Sequence, residues 1–127
     1  SSDLIFELSF DAYAKRMAGV EGEEVLLAAA KLATDLIVAT YDEETLVYIG
    51  LIPPTLLADE AYIWMLTTEF GHRHPLLLAR YARGFLDTAL TKYRAIYGHC
   101  FEPKSAHWLR YLGAEFHTET QFKIRRG

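Results

Sequence analysis

The sequence predicts an α/β fold in which helices cover both faces of a central mixed β-sheet. Three observations carry this. Leu36–Tyr41, Leu46–Ile52 and Ala61–Thr67 are short, nearly continuous apolar runs containing Val, Ile, Tyr and Trp, without the alternation of a half-exposed strand. Pro75–Tyr93 has the helical period, with Leu78, Ala82, Phe85, Leu86, Ala89 and Tyr93 on one stripe and Arg80, Arg83, Asp87 and Thr91 on the opposite one. Another apolar run, Ala95–Phe101, follows it. A helix between two strands is the crossover that parallel pairing requires, so Ala61–Thr67 and Ala95–Phe101 are expected to lie side by side and parallel.

The remaining elements follow in order. Leu4–Leu8 reads as a short strand, and Ser9 can cap a helix over Phe10–Ala18 that ends at Gly19. Gly22–Ala33, rich in Glu, Leu and Ala, has the composition of a second helix. Asp42-Glu43-Glu44 separates the first two apolar runs as a hairpin turn, and Pro53-Pro54 stops the second. Pro75 suits a first helical position, where its missing N–H costs nothing. Pro103–Leu112 is a short helix closed by Gly113, and Ala114–Thr118 with Gln121–Arg125 form a last hairpin.

No repeat or linker divides the chain, so residues 1–127 are read as one domain. Hydrophobic residues make up 51% and charged residues 24%, a globular rather than a disordered balance. No apolar run approaches the roughly 18 residues of a membrane span. The start, Ser1-Ser2-Asp3, has no basic region of the kind that opens a signal peptide. Cys100 is the single cysteine, which excludes an intrachain disulfide and suits a reducing, cytoplasmic setting. The net charge of −4 argues against nucleic acid as a partner. The charge is polarised, however. Residues 1–70 hold three bases against thirteen acids, and residues 71–127 hold ten bases against four acids. The basic half suits an anionic ligand or an acidic partner surface.

The element order, with the tract Ser105-Ala106-His107 through Leu112-Gly113-Ala114-Glu115-Phe116-His117, resembles the GNAT acyltransferase superfamily. More narrowly, residues 35–127 resemble the GNAT-related virion-assembly ("internal virion protein") family of short-tailed bacteriophages. The Ile49-Gly50 strand end, Tyr62-Ile63-Trp64 with Thr67-Thr68, the helix Phe85–Tyr93 and the same Ser105–His117 tract carry this narrower likeness. The superfamily resemblance implies acetyl-CoA bound where two central parallel strands splay. Its pantetheine arm would lie beside Met65, Leu66 and Thr67. Its pyrophosphate would meet Gly71 and His72 before the helix that starts at Pro75, and side-chain contacts from Arg73 and Arg80 would compensate for donors missing there. The phage likeness implies a protein partner from phage or host and, with it, the host cytoplasm.

Two departures bear on activity. The superfamily's phosphate segment reads Gln/Arg-x-x-Gly-x-Gly/Ala, whereas here only Gly71 remains in Thr68-Glu69-Phe70-Gly71-His72-Arg73-His74, and Pro75 removes one donor. The superfamily's general acid is commonly a Tyr four residues before the glycine that ends the last short helix. Here that position is Leu109, and Tyr111 lies about 200° round the helix. Trp108 cannot serve as an acid, no base is evident, and the catalytic residues stay unassigned. His72 and His74 form a His-x-His pair without a third ligand, so no metal is expected. Glu60 reads as a solvated turn charge, His99 as a hydrogen-bonded core histidine and Cys100 as a small buried residue. Tyr62, Trp64, Phe85, Tyr93, Tyr97 and Trp108 read as core. Two functions remain open: a phage assembly factor with a degenerate acetyl-CoA site, or an active acetyl-CoA-dependent N-acetyltransferase with an atypical pyrophosphate loop. The oligomeric state is left open.

Overall fold

In a computed structural model, residues 4–127 are described; the Ser1–Asp3 start read above lies outside them. The chain runs β1 (Leu4–Glu7), α1 (Phe10–Met17), α2 (Glu23–Leu32), β2 (Asp35–Tyr41), β3 (Glu44–Ile52) and β4 (Glu60–Thr67). It continues through α3 (Glu69–Arg73), α4 (Pro75–Lys92), β5 (Ala95–His99), α5 (Pro103–Tyr111), β6 (Glu115–Phe116) and β7 (Gln121–Arg125). The strands form one sheet in the order β1-β2-β3-β4-β5-β7-β6. All its pairings are antiparallel except β4 with β5, which are parallel as the intervening helix requires.

Local chemistry explains most boundaries. Ser9 caps α1, its side chain accepting from the Ala12 amide at 3.1 Å. Gly22 opens α2 in the left-handed region at φ 78°, and the Glu23 carboxylate reaches back to the Gly19 amide at 2.9 Å. The β2–β3 turn places Asp42 and Glu43 at φ 52° and 66°, the two positive values that a tight hairpin turn demands.

The two faces of the sheet carry separate cores. Leu36, Val38 and Tyr48 point toward α1 and α2, meeting Tyr13, Met17 and Ala30. Ile37, Ala39, Val47, Ile49, Leu51 and Ile63 point the other way, onto Leu78, Ala82, Leu86 and Ala89 of α4 and Trp108 and Leu109 of α5. Both faces of β2 and β3 are therefore buried, which is why their sequences lack polar alternation. Trp64 lies flat over Gly50, where any side chain would collide with the indole.

Several expectations need correction. The segment between β4 and α4 is not a plain connection: it contains the helical turn α3, because Thr68 supplies a cap within the loop. β5 ends two residues early, at His99, since Cys100 turns to bond the loop before β7. Glu60 is not solvated charge but pairs with Arg94 at 2.8 Å and Lys123 at 3.4 Å. His99 is exposed rather than buried, and Tyr62 and Tyr97 are only half-buried, because α1 and α2 do not cover the β4–β5 end of their face.

Candidate functional site: the gap between β4 and β5

β4 and β5 pair over only four residues, from Glu60 opposite Ala95 to Ile63 opposite Gly98. Gly98 permits the last of these pairings, because a Cβ there would stand 2.7 Å from the Ile63 carbonyl oxygen. Beyond it the strands diverge. Trp64–Thr67 stay paired with β3 but have no strand partner on the β5 side, so their backbone lines a gap. That gap is a cleft of about 160 Å³. Met65, Leu66 and Thr67 form one wall; Cys100, Phe101, Glu102, Ser105, Trp108 and Leu109 form the other.

The segment leaving the cleft toward α4 uses its own donors. Thr68 donates its amide to Leu46 O at 3.0 Å, and its hydroxyl accepts from the Gly71 amide at 3.0 Å. The amides of His72, His74 and Leu78 go to the carbonyls of Thr68, Gly71 and His74 at 3.0, 3.1 and 3.0 Å. Pro75 has no amide hydrogen. Leu76 and Leu77 are therefore the first-turn amides of α4 left without a partner inside their helix. Gly71 sits directly beneath the Leu46 carbonyl oxygen, where a Cβ would collide. Packing thus accounts for this glycine.

One side-chain pair joins two segments that flank the cleft. His72 Nε2 lies 3.3 Å from a Glu102 carboxylate oxygen, joining α3 to the entry of α5. The His74 ring instead packs on Phe70 at 4.6 Å, so the two histidines do not converge. No cluster of three or more His, Cys, Asp or Glu able to hold a metal occurs among the described residues. Arg73 is exposed at the end of α3, whereas Arg80 lines a groove between α4 and α5.

The segment offers a CoA pyrophosphate few free donors. Such a group needs several amides converging on one anion; here Gly71, His72 and His74 spend theirs within the chain and Pro75 has none, which leaves Leu76 and Leu77 as the free first-turn amides of α4. Glu102 adds a carboxylate to the lining of the cleft. At the far end, Leu109 is core at 1% exposure and Tyr111 is 74% exposed, turned away from the cleft as its helical angle requires.

Sequence reasoning missed Ser105, Glu102 and His99 as neighbours of the cleft. Ser105 lies one turn before Leu109 on the same side of α5. His99 borders both the cleft and a second hollow on the opposite face, with Tyr97, Gln121 and Lys123. Its ring stacks on Phe101 at 5.8 Å, and its Nδ1 is 3.4 Å from the Thr120 hydroxyl. Across the same face, burial and the neighbouring Tyr97 push the Tyr62 phenol above its ordinary pKa. Gly98, a glycine inside an apolar strand run, was the one signal that the strands part there.

No protein family and no curated protein matches the chain by sequence. Solved structures do match it. Mutant forms of the spermidine/spermine N-acetyltransferase SpeG from Vibrio cholerae superpose with a TM-score of 0.70 at 13% identity, over 98% of this chain and 95% of theirs. An aminoglycoside N-acetyltransferase from Legionella pneumophila gives 0.69 at 8% identity, over 97% and 91%. A Desulfovibrio desulfuricans protein assigned to the GNAT acetyltransferases gives 0.63 at 16% identity, over 98% and 99%. This is a GNAT-like fold. At such identities the likeness is one of architecture, and what this chain does rests on its own site.

Proposed function

We propose that this protein keeps an acetyltransferase architecture but acts through protein contact, its acetyl-CoA site being degenerate. The carrying observation is the use of amides between β4 and α4. Where the fold offers phosphate a cradle, this chain caps a helical turn with Thr68, ties the amides of Gly71, His72, His74 and Leu78 internally, and starts α4 with proline. Each missing charge-assisted bond forfeits about 1.5–3 kcal/mol, so two together lower affinity on the order of a hundredfold or more. The resemblance of residues 35–127 to virion-assembly proteins of short-tailed phages supplies the setting. It suggests an assembly factor in the host cytoplasm, bound to a phage or host protein.

One observation favours a second reading, an active acetyl-CoA-dependent N-acetyltransferase. The cleft itself is open, and the β4 backbone along Met65, Leu66 and Thr67 faces it unpaired. On that reading Arg73 and Arg80 would replace the lost amides, with Gly71 and His72 beside the phosphates.

Calorimetric titration of acetyl-CoA, together with a thiol-release assay over a panel of amines, separates the two. The contact reading expects binding no tighter than high micromolar and no amine-dependent thiol release. Low-micromolar binding, or release that requires an amine, would establish the enzyme instead.

A further inference from the structure

Another concavity lies outside the cleft, between α4 and α5, with a volume of about 480 Å³. Its floor is Pro75, Ala79 and Trp108. Its lips are Leu76, 87% exposed, and Tyr111, 74% exposed. Its polar lining is basic: Arg83, Arg80 and His107 border it, and among the described residues no Asp or Glu does. The Arg83 guanidinium stands 5.5 Å over the Tyr111 ring and donates to the Tyr111 carbonyl oxygen at 3.4 Å, so one cation is already positioned at the rim. Such a charge is held in place before any partner arrives, which lowers the ordering cost of binding.

We infer that this groove is a docking site for an acidic amphipathic helix of a partner protein. The inference rests on the contact reading of the function and names the chemistry of the partner. Both walls are helical, with Leu76, Ala79 and Arg83 on one and His107, Trp108 and Tyr111 on the other, and no strand edge enters the groove. A third helix laid between two others buries apolar residues spaced three and four apart, whereas an extended segment would find no ladder to join. From Pro75 to Arg83 the wall rises roughly 12 Å, enough for two turns of a partner with anchors at i, i+3 and i+7. The cationic rim, Arg83 foremost, selects carboxylates flanking those anchors and disfavours lysines.

The test uses two fluorescein-labelled helical peptides of about four turns, identical in leucine anchors and flanked either by glutamates or by lysines. Anisotropy is read with the full chain. The Trp64→Phe variant adds intrinsic fluorescence from Trp108 alone. The glutamate peptide should bind in the tens of micromolar and shift Trp108 emission, and the lysine peptide should bind at least tenfold more weakly. Leu76→Asp and Arg83→Glu should each weaken the glutamate peptide about tenfold at unchanged melting temperature. Leu57→Asp, on an exposed residue of the β3–β4 loop that does not line the groove, should leave binding as it was. Equal binding of both peptides, no binding at millimolar concentration, or indifference to both groove variants would overturn the proposal. So would displacement of the peptide by CoA or by 3′,5′-adenosine diphosphate, which would give the groove to a nucleotide. Failure here with acetyl-CoA still unbound leaves the contact reading standing; acetyl-CoA turnover removes it whatever the peptides do.

Discussion

The imidazole of His72 and the carboxylate of Glu102 meet at 3.3 Å, joining the turn after β4 to the entry of α5, two segments that flank the cleft. Both side chains keep solvent contact, 27% and 59% exposed, so water and salt screen the pair. His72→Ala should therefore cost about 0.2–1 kcal/mol in urea unfolding, and the cost should shrink in molar salt. A salt-independent loss above about 2 kcal/mol would mean that the imidazole matters chiefly through packing.

Gly71 lies under the Leu46 carbonyl, with Thr67 pressed against its other side. Gly71→Ala must push α3 off the β3 backbone, at a cost of about 1–3 kcal/mol. At roughly 3–5 °C per kcal/mol for a domain of this size, the melting temperature should fall by several degrees. An unchanged melting curve would show that α3 can be displaced without penalty.

Glu43 holds φ 66° in the β2–β3 turn, a conformation that costs a side chain roughly 1 kcal/mol and glycine almost nothing. Glu43→Gly is expected to stabilise the protein by up to about 1 kcal/mol, read as a raised denaturation midpoint at constant slope. A lowered midpoint would mean that the Glu43 side chain makes a compensating contact.

The Tyr13 phenol is fully buried against Tyr48, and its hydroxyl has no hydrogen-bond partner among the described residues. Burial first, then the neighbouring Tyr48, push its pKa up to about 12 from the ordinary 10.0. The folded value is the higher one, so the stability this group contributes is complete below about pH 10 and is lost as pH rises through 12. Its full extent is roughly 2–3 kcal/mol. Tyr13→Phe should therefore flatten the alkaline limb of the unfolding profile while leaving neutral stability unchanged or up to about 1 kcal/mol higher. A loss at neutral pH would reveal a hidden partner for the hydroxyl.

How much was legible in the sequence varies with the range of the interaction. Ser9 as a cap, Pro75 at a helix start and the buried runs of β2 and β3 are local or periodic signals, and each appears where the residues put it. The parallel pairing of β4 with β5 followed from the helix between them. α3 did not show, because Thr68 as a cap is recognisable only once its hydroxyl is seen tied to the Thr45 and Leu46 carbonyls. The site was legible on its β4 wall and hidden on the other. Met65, Leu66 and Thr67 lie along the strand that the resemblance singled out, but Glu102 and Ser105 reach the cleft only through the turn that ends β5 early at His99. His99 was misplaced because burial depends on which end of the sheet α1 and α2 cover, and no local pattern encodes that.

The brief β4–β5 ladder has a mechanical consequence. The sheet is two antiparallel units, β1 to β4 and β5 with β7 and β6, stitched by four residue pairs that give way to an open gap. Within the first unit β2, β3 and β4 follow one another through short connections, whereas the second joins β4 only across α3 and α4. Amide protons of β5 and β7 should therefore exchange with solvent through a cheaper opening than those of β2 and β3, as a separate cooperative block. Anything wedged into the gap would staple the two blocks together, and it would register as slowed exchange on the β5 side of the seam.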